Sequence, residues 1–291
     1  MRTTFAAALA AATASAIPTA IFHGMGDACI YPGMHHFTKE IAAGTGDYAK
    51  CLEVGNGSIT SLTDNFMDQA EKACQKLLAD ENFDADEINV MGLSQGALLA
   101  RYIVESCPIK GKVRNLSSIG GPNMGVIDIP HCFHGPLCKV INAVARDFVY
   151  TGIIQNIVGP AGYFRDTYHM DRYLNGSVFL PYLNNEETSS DYDTDEAKAA
   201  RKANFSALNG VQLMMFTQDT MVYPKESEHF QQLDANGEVQ ALEDSDWYKN
   251  DSLGLKTLNE AGKVQFVSVD GDHLQFSTDD INNTIIPFLL S

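Results

Sequence analysis

Ser94, Asp219 and His273 are the residues of this chain whose types and order could carry nucleophilic acyl transfer. A neutral serine hydroxyl is a poor nucleophile. An imidazole with its usual pKa of roughly 6.5 can take the proton, and a carboxylate can fix the tautomer and offset the imidazolium charge. Ser94 lies in Gly92-Leu93-Ser94-Gln95-Gly96, a G-x-S-x-G pentapeptide. It follows the apolar run Ile88-Asn89-Val90-Met91 and opens a helical pattern from Ala97 to Glu105. On a tight strand-to-helix turn a serine hydroxyl is exposed, and flanking glycines permit backbone approaches that a Cβ would obstruct. The pentapeptide alone also fits an ordinary glycine-rich turn; its context points to a nucleophile.

The elements around these residues predict where they sit. Asp219 closes the run Val211-Gln212-Leu213-Met214-Met215-Phe216-Thr217-Gln218, which begins as a buried strand. His273, in Gly271-Asp272-His273-Leu274, follows the β-rich run Val264-Gln265-Phe266-Val267-Ser268-Val269. Both are loop positions at a strand end, in the order Ser, Asp, His of α/β-hydrolases. Asp270 and Asp272 are alternatives to Asp219, though both are close to His273 in sequence. An oxyanion hole requires backbone N–H donors. Gln95 is one, as the residue after the nucleophile; Met25 is the other, in the turn His23-Gly24-Met25-Gly26-Asp27 that follows the strand-like Pro18-Thr19-Ala20-Ile21-Phe22.

Further strand-like runs near 49–54, 87–91 and 113–119 alternate with helical patterns over Leu62 to Ala79, Gln95 to Glu105 and Asp279 to Leu290. This predicts an α/β-hydrolase fold: a mostly parallel central sheet with helices on both faces. Alternation stops between Gly125 and Asn209, so an insertion of about residues 125–209, mostly helical, is expected. There Val140, Ile141, Val144, Phe148, Val149, Ile153, Ile154, Ile157 and Val158 are spaced like one or two helices with a wide apolar face. Packing onto the sheet explains such a face, and so does a groove for a fatty acyl chain, for which Ile141, Val144, Phe148, Ile153 and Ile157 are the candidate lining. Burial of ten methylenes would contribute roughly 8 kcal/mol before ordering costs.

His23-Gly24-Met25-Gly26-Asp27, Gly92-Leu93-Ser94-Gln95-Gly96, Ile119-Gly120-Gly121-Pro122-Asn123-Met124-Gly125-Val126, Gly271-Asp272-His273-Leu274-Gln275 and the terminal Ile285-Ile286-Pro287-Phe288-Leu289 together resemble the palmitoyl-protein thioesterases, the lysosomal type 1 enzyme in particular. The resemblance implies Ser94 as nucleophile, Asp219 as acid, His273 as base, and Met25 and Gln95 as oxyanion donors. It implies hydrolysis of the thioester between a long fatty acyl group and a protein cysteine, with S-acylated proteins or peptides and fatty acyl thioesters as partners and no cofactor. It also implies a lipid groove in the insertion. Local physics alone equally suits a secreted lipase or carboxylesterase acting on oxygen esters; a non-catalytic lipid carrier would not need all three catalytic types.

Residues 1–16 read as a signal peptide, with Arg2, an apolar stretch from Phe5 to Ala12 and the A-x-A site Ala14-Ser15-Ala16. Residues 17–291 are then expected to form one hydrolase domain. Export suits the six cysteines, Cys29, Cys51, Cys74, Cys107, Cys132 and Cys138, which on spacing alone could pair in any of 15 ways. The resemblance implies Cys74 with Cys107 and Cys132 with Cys138, leaving Cys29 with Cys51. Here the chain departs from the mammalian members, with Cys29-Ile30 in place of adjacent cysteines. His131 and His134 beside Cys132 and Cys138 offer zinc-ligand types, but oxidised cysteines would not bind the metal, and no metal is expected. Sequons at Asn56, Asn115, Asn175, Asn204, Asn250 and Asn282 suit a glycoprotein. With 37 acidic against 20 basic residues the net charge is −17, which repels nucleic acid and anionic membranes at neutral pH. No run of about 20 uninterrupted apolar residues follows the leader, so no integral membrane span is expected. The expected destination is the lysosome or vacuole, or the exterior.

Overall fold

The computed structural model describes residues 17–127, 148–188 and 193–291. The leader, Cys132, Cys138, Ile141 and Val144 lie outside these residues. Six strands form one parallel sheet: β1 (Thr19–Phe22), β2 (Ala49–Cys51), β3 (Glu87–Leu93), β4 (Lys112–Ile119), β5 (Gly210–Phe216) and, after a small hairpin of β6 (Gln232–Leu233) and β7 (Val239–Gln240), β8 (Val264–Val269). Their order is β2-β1-β3-β4-β5-β8. The chain moves outward from β1 to β2 and then returns to the other side of β1, so the strand order reverses between β1 and β3. Parallel sheets with this reversal leave a crevice at the carboxyl ends of the strands.

Alternate side chains divide between the two faces. Ala20, Phe22, Ile88 and Val90 pack on one side with helices α3 (Phe66–Leu78) and α4 (Gly96–Ser106). Ile21, Met91, Ile119 and Met214 pack on the other with α1 (Pro32–Thr45) and the chain end, including Ile285, Ile286 and Phe288. Burial on both faces explains why the strands read as nearly continuous apolar runs. The architecture is that of an α/β-hydrolase.

Three expectations about elements change. The helical pattern over Leu62 to Ala79 is two helices, α2 (Ser58–Thr63) and α3, because the Asn65 side chain accepts from the N–H groups of Met67 at 2.8 Å and Asp68 at 3.2 Å and starts a new helix. The pattern from Asp279 to Leu290 is split by a π-helical stretch over Ile281–Ile285 before Ile286–Leu290. Pro287 has no N–H to continue the regular ladder there. Asn115 is no glycan acceptor in the folded chain: it is buried in β4 and its Nδ2 donates to the Phe288 carbonyl at 3.2 Å. With Asn89 Nδ2 on the Leu289 carbonyl, it holds the last helix against the sheet.

Cys29 is bonded to Cys51 and Cys74 to Cys107. In the described part of the insertion the longest helix over the apolar run is Gly152–Ile157, and Phe148, Ile153 and Ile157 are exposed. No helix among the described residues is long and apolar enough to cross a membrane.

The tightest constraint lies where β1 meets the start of α4. A Cβ on Gly96 would sit 2.3 Å from the Phe22 carbonyl oxygen and 2.5 Å from that of His23. Gly96→Ala is therefore expected to lower stability by about 3 kcal/mol, since backbone rather than a flexible side chain must yield. Chemical denaturation of both forms checks this.

Candidate active site

Ser94 opens the turn after β3 with φ of 54°, a left-handed conformation unusual for a non-glycine residue. Its N–H donates to the Ile119 carbonyl at 2.8 Å and its carbonyl accepts from Ala97 at 2.9 Å, tying the turn to β4 and to α4. Gly92 is required beneath it, because a Cβ there would meet the Gly96 carbonyl oxygen at 2.1 Å. Such strain persists only where surrounding structure enforces it. It turns the hydroxyl toward His273, whose Nε2 lies 2.8 Å from Ser94 Oγ.

His273 Nδ1 lies 2.5 Å from Asp219 Oδ2, so the three side chains form one hydrogen-bonded row. The side chain of Asp219 is fully buried, while that of His273 keeps a little exposure at 13%. Asp219 Oδ1 accepts from the N–H groups of Met221 at 2.7 Å and Val222 at 2.8 Å. Burial pushes its carboxyl up, but the hydrogen bonds from His273 and Val222 outweigh this and hold it below the usual carboxylate range. Asp219 is therefore a carboxylate at neutral pH.

The alternative acids are occupied elsewhere. Asp270 accepts from Thr217 Oγ1 at 3.0 Å and Gln218 Nε2 at 2.7 Å. Asp272 accepts from the Thr220 N–H at 2.8 Å and from the N–H of His273 itself at 2.7 Å. Both brace the loops that carry Asp219 and His273. Gly120, with φ of 61°, leaves room for the imidazole, since a Cβ there would lie 3.3 Å from His273 Cε1.

The His23-Gly24-Met25 turn after β1 lies directly against the serine: a Cβ on Gly24 would be 3.1 Å from Ser94 Cβ. Among the described residues neither the Met25 nor the Gln95 backbone N–H donates to another protein group. His23 holds the turn, with Nδ1 at 2.8 Å from the Gly24 carbonyl and Nε2 at 2.7 Å from Glu53 Oε1.

Sequence patterns gave no sign of the brace behind this pair. Gln95 is buried; its Nε2 donates to the Ser61 carbonyl at 3.1 Å, and its Oε1 accepts from Tyr163 Oη at 2.9 Å. Ser61 Oγ also accepts from the Gly26 N–H at 2.9 Å, so α2 and the insertion hold both turns. Glu228, fully buried beside Asp219, was equally invisible. Neither Tyr163 nor Glu228 lies in a recognisable motif.

A family profile described as palmitoyl protein thioesterase matches residues 18–273. The chain belongs to this family. It is 30% identical over 280 residues to palmitoyl-protein thioesterase 1 of Caenorhabditis elegans, covering 93% of this chain and 90% of that one. It is 31% identical over 249 residues to palmitoyl-protein thioesterase 3 of Dictyostelium discoideum, covering 83% and 82%. Over 177 residues, 61% of this chain and 56% of the other, it is 37% identical to lysosomal thioesterase PPT2 of Rattus norvegicus. Among solved structures, a Pyrococcus furiosus esterase covers 94% of this chain and 81% of its own, at 12% identity and a TM-score of 0.49. The protein is thus a hydrolase of the thioesterase family, whose substrates are acylated.

Tyr163→Phe would leave the buried Gln95 Oε1 without its donor, a loss of about 1–3 kcal/mol in stability. It is also expected to lower kcat with little change in KM, because the turn bearing the Gln95 N–H loosens. Steady-state kinetics and thermal melting of the variant check both.

Proposed function

We propose that this chain hydrolyses the thioester between a long-chain fatty acyl group and a protein cysteine, through an acyl-enzyme on Ser94. The observation that carries the reading is the Ser94–His273–Asp219 row, 2.8 Å and 2.5 Å long, at the strand ends of a thioesterase-family chain. Ser94 Oγ attacks the acyl carbon while its proton passes to His273 Nε2. The thioester oxygen becomes an oxyanion and takes the N–H groups of Met25 and Gln95. Collapse of this intermediate breaks the C–S bond and releases the cysteine. A thiol with a pKa near 8.5 departs readily as thiolate, so its protonation can follow C–S cleavage; the proton held on His273 Nε2 then passes to the departing sulfur, which leaves the imidazole neutral for the second half of the cycle. Water then gives a proton to His273 and attacks the acyl-enzyme, releasing the fatty acid and restoring Ser94. The residues in this cycle balance its protons without a cofactor.

Asp219 supports the cycle by keeping Nδ1 protonated, so that Nε2 faces the serine with its lone pair. The insertion supplies the acyl groove in this reading, with the exposed Phe148, Ile153 and Ile157 contributing apolar surface. Residues 1–16 are the leader and 17–291 the mature hydrolase domain with its insertion at about 125–209. Two disulfides and the name of the rat relative support passage through the secretory pathway to a lysosome or vacuole. Asn56, Asn175, Asn204, Asn250 and Asn282 are exposed sequons along that route.

Hydrolysis of a palmitoyl thioester compared with the matching oxygen ester tests the reading. Faster release from the thioester, abolished in Ser94→Ala, is expected; preference for the oxygen ester would make the protein a lipase-like enzyme. Asp219→Asn is expected to lower kcat by about 10⁴-fold, since it favours the wrong imidazole tautomer.

A further inference from the structure

Glu228 lies in the short 3₁₀ turn Lys225–His229 and is fully buried. A carboxyl oxygen of Glu228 is within 4.8 Å of a carboxyl oxygen of Asp219 and of a ring nitrogen of His273. Its Oε2 accepts from the Phe216 N–H at 2.9 Å, while Oε1 is buried without an acceptor or donor satisfied in a hydrogen bond. The titratable groups that face it are Asp219, His273 and Glu226 of its own turn. No lysine or arginine pairs with it among the described residues. Arg101, which stacks over the neighbouring Phe230, is committed to Glu105 and to the Asn123 and Leu183 carbonyls. His229 turns its Nε2 away, to the Leu213 and Val267 carbonyls.

Two carboxylates this close, buried and without a shared cation, cannot both ionise. Asp219 has two backbone N–H donors and an imidazole to stabilise its charge, whereas Glu228 has one N–H. The proton therefore belongs on Glu228. We propose that Glu228 is a neutral carboxylic acid whose O–H is directed at the Asp219 carboxylate, making it a positioning residue that keeps Asp219 ionised and aligned with His273. Desolvation first, and then the proximity of Asp219, push the Glu228 carboxyl up to about 11, so it stays protonated across the working range. The catalytic part of this inference rests on the triad reading above; the protonation state does not.

The variants are E228Q, which keeps an acceptor for Phe216 and a donor for Asp219 without an ionisable proton, and E228L, which removes both. Infrared difference spectra of wild type against E228Q at neutral pH should show a protonated carboxylic C=O stretch that E228Q lacks. A carboxylate band lost instead would overturn the proposal, whatever the substrate proves to be. E228Q is expected to retain wild-type kcat and the same acid limb in its pH profile. A downward shift of that limb would mean that a negative charge had been removed, and would refute a neutral Glu228. E228L, shown folded by circular dichroism, should lose about 10- to 100-fold in kcat at similar KM, the scale of a hydrogen bond to an ionised group. Full activity in folded E228L would refute the positioning role; if E228L does not fold, the infrared and E228Q results decide.

Stability should follow the same protonation. Because the folded value is raised above the ordinary 4.5, the folded chain keeps a proton that the unfolded chain releases. Wild-type stability then falls as pH rises above the ordinary carboxylate range, and E228Q should gain in melting temperature relative to wild type from pH 4 to pH 8. A constant or shrinking difference would contradict the neutral acid.

Discussion

The left-handed turn at Ser94 is the constraint on which the rest depends. A serine at φ of 54° is held there only because Gly92, Gly96 and Gly24 let three backbone segments close around it. The closeness of β1, β3 and α4 sets where the oxyanion turn can lie and how the imidazole is met. The twin glycines after β4 belong to the same constraint: a Cβ on Gly121 would be 2.4 Å from the Ala97 Cβ, on the first turn of the nucleophile helix.

The electrostatics are built outward from that turn. Parallel strands bring their loops to one edge, so Asp219 after β5 reaches the Ser94 turn past β4, and His273 after β8 reaches it past β4 and β5. Burial alone would disfavour the Asp219 charge; two backbone N–H groups and the imidazole reverse this. Asp270 and Asp272, without that shelter, act as struts between the loops. The 3₁₀ turn carrying Glu228 closes the site from below, where the proton that two neighbouring acids must share is kept off the residue that contacts His273.

The insertion contributes to the site as well as to the surface. Tyr163 reaches from its 3₁₀ stretch Gly159–Tyr163 to Gln95, and Gln69 and Ser61 complete a buried polar network there. Such networks specify one arrangement when satisfied, since each member is costly to leave unpaired in a low-dielectric interior. The side chain of Gln95 therefore serves to hold a backbone N–H whose direction matters.

The strands, the elbow, the acid and the histidine were legible because each is local. Apolar runs announce strands, glycines announce a turn that only they permit, and strand ends announce loops. Asp219 was separable from Asp270 and Asp272 only by sequence distance; geometry separated them by what each carboxylate accepts. The break at Asn65 was not legible, because a capping asparagine has the same letter as a surface one; the burial of Asn115 was foreshadowed by the strand-like run over 113–119 that contains it. Tyr163 and Glu228 lie outside every local pattern, 69 and 134 residues beyond Ser94. Sequence by itself determined the sheet, through short-range periodicity, and placed Ser94, Asp219 and His273 at strand ends in order, while the family was carried by the likeness of several motifs taken together. Only the tertiary structure decided which carboxyl group meets His273, that the Met25 and Gln95 N–H groups take no protein acceptor among the described residues, and what braces them, because desolvation and hydrogen-bond partnership arise from segments that meet only when the chain is folded.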